Sequence, residues 1–159
     1  MKIYFAADHA GFFLKGEILE FVKKLGFETV DCGSNILDNN DDFTDYIAPA
    51  AEAVSKDPDN SRAVIFGGSG QGEAMLANRF RNVRATVFYG DPSSGLFRKK
   101  KANIIDLSRK HNNANVLSIG ARFVGAREAK RAVKKWLETP FPGEIRHKRR
   151  ISKIEEITR

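Results

Sequence analysis

The sequence predicts a doubly wound, Rossmann-like α/β fold: a five-stranded parallel sheet with helices on both faces, followed by a C-terminal helical tail. Three observations predict it. Short apolar runs alternate repeatedly with segments of helical spacing, as in successive strand–helix units. A glycine-rich turn, Gly67-Gly68-Ser69-Gly70-Gln71-Gly72-Glu73, joins an apolar run to helix-like sequence. A length of 159 residues with 42% hydrophobic content fits one domain with a real core.

Each element has its own signal. Lys2 to Ala7 reads as the first strand, and Asp8-His9-Ala10-Gly11 as a polar turn. Leu14, Ile18, Phe21, Val22 and Leu25 recur at helical spacing, with Lys23 and Lys24 in the last turn and Gly26 as the cap. Phe27 to Cys32 is the second strand, and 33–42 a loop rich in Asn and Asp. The second helix carries Ile47, Ala50, Ala51 and Val54; Pro49 predicts that it starts late or kinks. Ala63 to Phe66 is the third strand, and a short helix is expected after Glu73. Val83 to Tyr89 is the fourth strand, followed by a loop from Gly90 to Gly95 and a basic run, Arg98 to Lys101. Ile104 to Lys110 reads as helix and Val116 to Gly120 as the fifth strand. A helix from about Gly125 places Ala129, Val133, Trp136 and Leu137 on one face, and Thr139-Pro140-Phe141-Pro142-Gly143 ends it. The division is therefore an α/β domain over 1–143 and a basic tail over 144–159. Ile151, Ile154 and Ile157 predict a final amphipathic helix in that tail, one that docks on another surface.

The net charge of +7 points to anionic partners: nucleic acid, acidic membrane or phosphorylated metabolites. Nothing resembles a nucleic-acid-binding module, and no apolar run approaches a membrane span. The start, Met1-Lys2-Ile3-Tyr4-Phe5, has no signal-peptide layout, so a soluble cytoplasmic protein is expected. A single cysteine, Cys32, excludes an internal disulfide and zinc fingers. His9, His111 and His147 stand too far apart for metal-ligand spacing, and no metal is expected.

In a doubly wound sheet, ligands bind beyond the carboxyl ends of the strands. Asp8-His9, Ser69 to Glu73 and the segment after Tyr89 fall there. Phosphate loops normally keep carboxylates away, so Glu73 suggests a base acting on the ligand; the plainer reading is a carboxylate favouring its helix dipole. Asp8 reads equally as a helix N-cap. His111 reads as a turn histidine, Arg122 as a surface arginine, and Arg146 to Arg150 as a solvated face. The glycine loop lacks the Lys-Ser/Thr ending of a Walker loop and makes no convincing dinucleotide fingerprint.

Taken in order, Asp8-His9-Ala10-Gly11, Gly67 to Glu73 with Ala77-Asn78-Arg79, Ser108 to Val116, Gly120-Ala121-Arg122 and Arg146-His147-Lys148-Arg149-Arg150 resemble the ribose-5-phosphate isomerase B family, which includes galactose-6-phosphate isomerase subunits. The resemblance runs from residue 1 to about residue 155. It implies a cofactor-independent isomerase of pentose phosphate metabolism that interconverts ribose 5-phosphate and ribulose 5-phosphate through an enediolate. One branch of that family uses a cysteine just after the third strand; Gly67 stands there. The other branch uses a glutamate in the glycine loop, and Glu73 matches it.

By the same resemblance, Glu73 is the base, and Ser69 with the backbone of Gly68, Gly70 and Gly72 binds the substrate and steadies the enediolate. His111 with Asp8 opens the sugar ring. His9, Arg122, Arg146 and Arg150 hold the phosphate, and Asn112 contacts sugar hydroxyls. The active site is shared between two subunits of a homodimer, with a tetramer left open, and the tail docks on the partner. Two departures concern the substrate. Phe43-Thr44 replaces the family's Tyr-Pro, and Tyr46 is out of register. A segment around Gly95 to Asp106 lengthens the chain by roughly ten residues, which a surface loop tolerates. The alternatives are an isomerase for a six-carbon or unusual pentose phosphate, and a catalytically silent sugar-phosphate binder.

Overall fold

A computed structural model describes residues 1–90 and 103–157. The elements follow in the order β1 (Lys2–Ala7), α1 (Phe12–Lys24), β2 (Glu28–Asp31), α2 (Phe43–Lys56), β3 (Ser61–Gly67), α3 (Gln71–Ala77), β4 (Ala85–Phe88), α4 (Ile104–Asn112), β5 (Val116–Gly120), α5 (Ala126–Glu138) and α6 (Ile145–Ile157). The sheet is parallel, with spatial order β2-β1-β3-β5-β4. Sequence explains the positions. The almost wholly buried β3 and β5 are near-continuous apolar runs, as central parallel strands must be. The four-residue β2, with Glu28 and Asp31 at its ends, forms one edge, and the short β4 forms the other.

Chain direction decides which face each helix covers. The connections β1 to β2 and β4 to β5 run one way across the sheet, and β2 to β3 and β3 to β4 run the other. Right-handed crossovers then put α1 and α4 on one face and α2 and α3 on the opposite face. The packing agrees: α1 and α4 contact α5, while α2 contacts α3. Two cores result. Ile18, Val22, Ile105, Val133 and Trp136 fill one, and Ile47, Ala50, Val54 and Ala77 fill the other. The chain leaves β1 toward β2 and returns to β3 on β1's other side. The crevice between the carboxyl ends of β1 and β3 is therefore the topological switch point.

Several expectations shift. Helix α2 does not start late; it begins at Phe43, six residues before Pro49, and continues to Lys56. Its buried stripe packs on β1 and β3, which offsets the hydrogen bond Pro49 cannot donate. Asp8 is not the N-cap of α1. Gly11 holds that position, and Asp8 Oδ1 accepts a hydrogen bond from the Gly11 N–H at 3.0 Å. Helix α3 begins at Gln71, so Glu73 lies within its first turn. His111 lies in the last turn of α4, whose C-cap Asn113 adopts a left-handed conformation and closes the helix onto Ser108 and Arg109 carbonyls. Of the proposed insertion, only Asn103 to Asp106 are described. Asn103 caps α4 by accepting from the Ile105 and Asp106 N–H groups. The basic run Arg98 to Lys101 lies outside the described residues.

Lys15 is a buried lysine on α1. Its Nζ donates to Asp31 Oδ1 at 2.6 Å and to the Ser34 carbonyl at 2.7 Å, tying α1 to the start of the 33–42 loop. Replacing Lys15 by Met removes both bonds and leaves a buried carbonyl unpaired, while water can reach the one-third-exposed Asp31. The expected loss is about 1–3 kcal/mol in urea unfolding. A change below about 0.5 kcal/mol would show that this tie contributes nothing net.

The tail forms the expected helix; Ile151 is half-buried, and the other isoleucines of the helix are largely exposed. Ile145, Ile154 and Ile157 are 85%, 54% and 82% exposed. Glu155 anchors α6 by accepting from the Asn82 N–H and pairing with Arg84. Among the described residues, no helix is long and apolar enough to cross a membrane.

Candidate functional site

The switch point gathers part of the expected set. Ala7 pairs with Phe66 across β1 and β3, so Asp8 and Gly67 leave the sheet side by side. Gly70 turns the chain through a left-handed conformation at φ 73°, and its carbonyl accepts from Ser118 Oγ of β5 at 2.7 Å. That turn folds Glu73 back over the end of β3. A Cβ built on Gly67 would lie 2.7 Å from Glu73 Oε2 and closer still to Oε1 and Cδ. The carboxyl of Glu73 thus fills the volume that any side chain at position 67 would need. Glu73 is 4% exposed. Burial raises its pKa above the usual carboxylate range; its own backbone N–H opposes this, and the nearby Asp8 charge adds to the rise.

The cationic side of the site comes from β5 and the β1 loop. The Arg122 guanidinium covers Gly68, where an added Cβ would stand 2.9 Å from Cζ. Arg122 N–H donates to the Gly68 carbonyl, joining the two loops. His9 Nδ1 lies 2.6 Å from Asp41 Oδ1. That hydrogen bond raises the His9 pKa; Asp8 acts in the same direction, while burial and Arg122 oppose it. Ser69 is exposed beside the turn, and its Oγ accepts from the Gln71 N–H. The Phe43 ring packs on Gly72, where a Cβ would meet Cζ at 3.1 Å, and Tyr46 packs on Gly33 instead.

His111, Asn112, Arg146 and Arg150 are not brought to this site. The end of α4 leads into the amino end of β5, so His111 and Asn112 sit at the opposite edge of the sheet from Glu73. There the His111 ring stacks on His147, with centroids 4.4 Å apart and planes 12° apart. His147 is buried, and burial first, then His111, lowers its pKa. Arg146 and Arg150 are exposed on the same α6 turns. A cavity of about 750 Å³ also lies on this side, lined among others by Arg79, Arg81, Arg84, Asn112 and Glu155. The expected site residues of one chain therefore fall into two groups at opposite edges of the sheet.

Three residues that sequence reasoning missed support these two groups. Asp41 holds His9, and Lys15 pins the loop leading to it. Arg109, nearly fully buried, donates to the Thr139 and Ala114 carbonyls and to Asn113 Oδ1, with its guanidinium 5.8 Å from the Trp136 ring centroid. Burial, with Arg62 and Arg84 nearby, lowers its pKa to about 10. It fixes the turn that closes α4 just after His111. Among the described residues, no group of three or more His, Cys, Asp or Glu side chains is placed to hold a metal ion.

Comparisons with known proteins agree on one lineage. The Ribose/Galactose Isomerase family model matches residues 3–154. Ribose-5-phosphate isomerase B of Mycobacterium tuberculosis is 35% identical over all of this chain and 91% of its own. The crystal structure of ribose-5-phosphate isomerase B from Mycoplasma genitalium with bound ribulose-5-phosphate superposes with a TM-score of 0.87 at 35% identity, covering 98% of this chain and 95% of that one. The Clostridium thermocellum ribose-5-phosphate isomerase B gives a TM-score of 0.85 at 36% identity, covering 99% and 97%. With the family model matched almost end to end, this chain belongs to the ribose/galactose isomerase family.

Proposed function

We propose that this chain interconverts ribose 5-phosphate and ribulose 5-phosphate, with Glu73 as the base. The observation that carries the reading is the burial of the Glu73 carboxyl in the space left by Gly67, at the switch point of the sheet. An ordinary carboxylate is a weak base for a carbon acid near neutral pH, and burial strengthens it. Glu73 takes the proton from C2, the C–H electrons form the C1–C2 double bond, and the C1=O electrons move onto O1 to give the enediolate. The O2 hydroxyl proton then passes to O1, the O–H electrons form the C2 ketone, and the C1–C2 double bond takes the proton back from Glu73 at C1. Ser69 and the loop backbone around Gly68, Gly70 and Gly72 steady the charge that develops on oxygen. His9 and Arg122 take the phosphate, Arg122 by its planar fork.

Ring opening needs His111, and the remaining phosphate contacts need Arg146 and Arg150. A second copy of the chain supplies them, with Asn112 for the sugar hydroxyls, so the active unit is a homodimer with shared sites. The exposed isoleucines of α6 fit a tail, 144–159, that docks on a partner subunit. The setting is the cytoplasm. A six-carbon or unusual pentose phosphate is the second reading. The observation favouring it is Phe43, which places an unsubstituted ring on Gly72 where the family has a tyrosine hydroxyl.

The test is turnover of ribose 5-phosphate beside a panel of other sugar phosphates, each with and without EDTA. Turnover of the pentose phosphate that survives EDTA is expected. Turnover of another sugar alone would move the substrate, and turnover of none would leave a binding protein.

A further inference from the structure

Asp41 has no role in the scheme above, yet its environment is unusual. It lies at the end of the loop before α2, with a side chain only 2% exposed. One oxygen accepts from His9 Nδ1 at 2.6 Å, and the other, Oδ2, is buried without a hydrogen-bond partner among the described residues. A carboxylate taken out of water in this way needs a compensating cation. The charged groups facing His9 are Asp41 from the β2–α2 loop, Asp8 from its own loop and Arg122 from the loop after β5. Two of these favour an imidazolium and one opposes it.

We infer that Asp41 is a positioning residue for the phosphate subsite, holding His9 by Nδ1 and keeping it cationic so that Nε2–H faces the substrate phosphate beside Arg122. The inference rests on the isomerase reading and extends it. A neutral His9 held at Nδ1–H would present a lone pair at Nε2, which repels a phosphate oxygen. A charged His9 presents a donor there. Asp41 therefore governs the pH range over which the phosphate is held. The sign follows from the direction of the shift. The His9 cation is complete below the ordinary histidine range and is lost as pH rises through its raised pKa.

The experiment is the pH dependence of KM for ribose 5-phosphate in Asp41→Asn and Asp41→Glu, beside the wild type. Asp41→Asn is expected to raise KM about tenfold at pH 7.5, with kcat changed less than about twofold. Below about pH 6 its KM should converge on the wild type, because His9 is then charged in both. Asp41→Glu should recover part of the loss. A KM raised equally at every pH, or unchanged throughout, would overturn the proposal. A second readout needs no turnover: the His9 ring proton titrated by NMR, with and without inorganic phosphate. Wild-type His9 should titrate above the ordinary histidine value and respond to phosphate at pH 7.5, and Asp41→Asn should lose both. If the wild type turns over no pentose phosphate but this titration holds, the substrate reading fails and the Asp41 role stands. If His9 titrates normally and ignores phosphate, the Asp41 role fails alone.

Discussion

Glu73→Gln lowers kcat on ribose 5-phosphate by about a hundredfold or more, with KM little changed. The amide keeps the shape and burial of Glu73 but cannot accept a proton from carbon. On the proposed reading the phosphate is held by His9 and Arg122, which the substitution does not touch. Stability separates this loss from unfolding. A carboxyl with a raised folded pKa binds its proton more tightly in the native state than in the unfolded chain. Its effect on stability therefore turns unfavourable as pH rises through that folded pKa. Gln carries no such effect, so at neutral pH the variant should melt no lower than wild type. The same shift places the acid limb of wild-type kcat above the ordinary glutamate pKa, because only the ionised form is a base. Gly67→Ala reports on the same volume from the other side. Its methyl group would overlap the Glu73 carboxyl and displace it, with an expected loss of about tenfold to a hundredfold in kcat. Full activity in Glu73→Gln would remove Glu73 from the chemistry.

Legibility in the sequence followed the range of the interactions. Strands β3 and β5 could be read because a central parallel strand is buried on both faces and must be apolar almost throughout. Fold class followed from the strand–helix alternation. The start of α2 was missed because Pro49 is a local signal, whereas the stripe that overrides it gains its energy from β1 and β3. Asp41 was hidden for a related reason. Its partner, His9, is 32 positions away, and an Asn- and Asp-rich loop makes one more carboxylate unremarkable. Arg109 was visible only as part of a motif, since one of its carbonyl partners, Thr139, lies 30 positions further on. Gly67 and Glu73 could be linked through the family's two alternative bases, but that one fills the space of the other is a fact of three dimensions.

Mixing Glu73→Gln with His111→Ala raises activity well above that of either variant alone. Glu73 stands at the carboxyl edge of the sheet, and His111 leads into the amino end of β5. The sheet itself lies between them, so no side-chain movement within one chain unites them. If two chains share each site, a mixed dimer contains one doubly damaged site and one built wholly from native residues. Random reassortment makes about half the dimers mixed, and the mixture should reach roughly a quarter of wild-type activity. The His111→Ala parent should itself lose about tenfold or more if His111 carries the ring-opening proton, as proposed. Co-expression with two affinity tags, followed by tandem purification, raises the expected value to about half, since every dimer is then mixed. Pairing Glu73→Gln with a Glu73→Gln/His111→Ala double variant is the control, for that dimer holds no intact base and should remain inactive. Mixed dimers that form, as native mass spectrometry would show, yet stay at the parents' level would mean that Glu73 and His111 never meet in one site. The isoleucines of α6 would then need another explanation for their exposure.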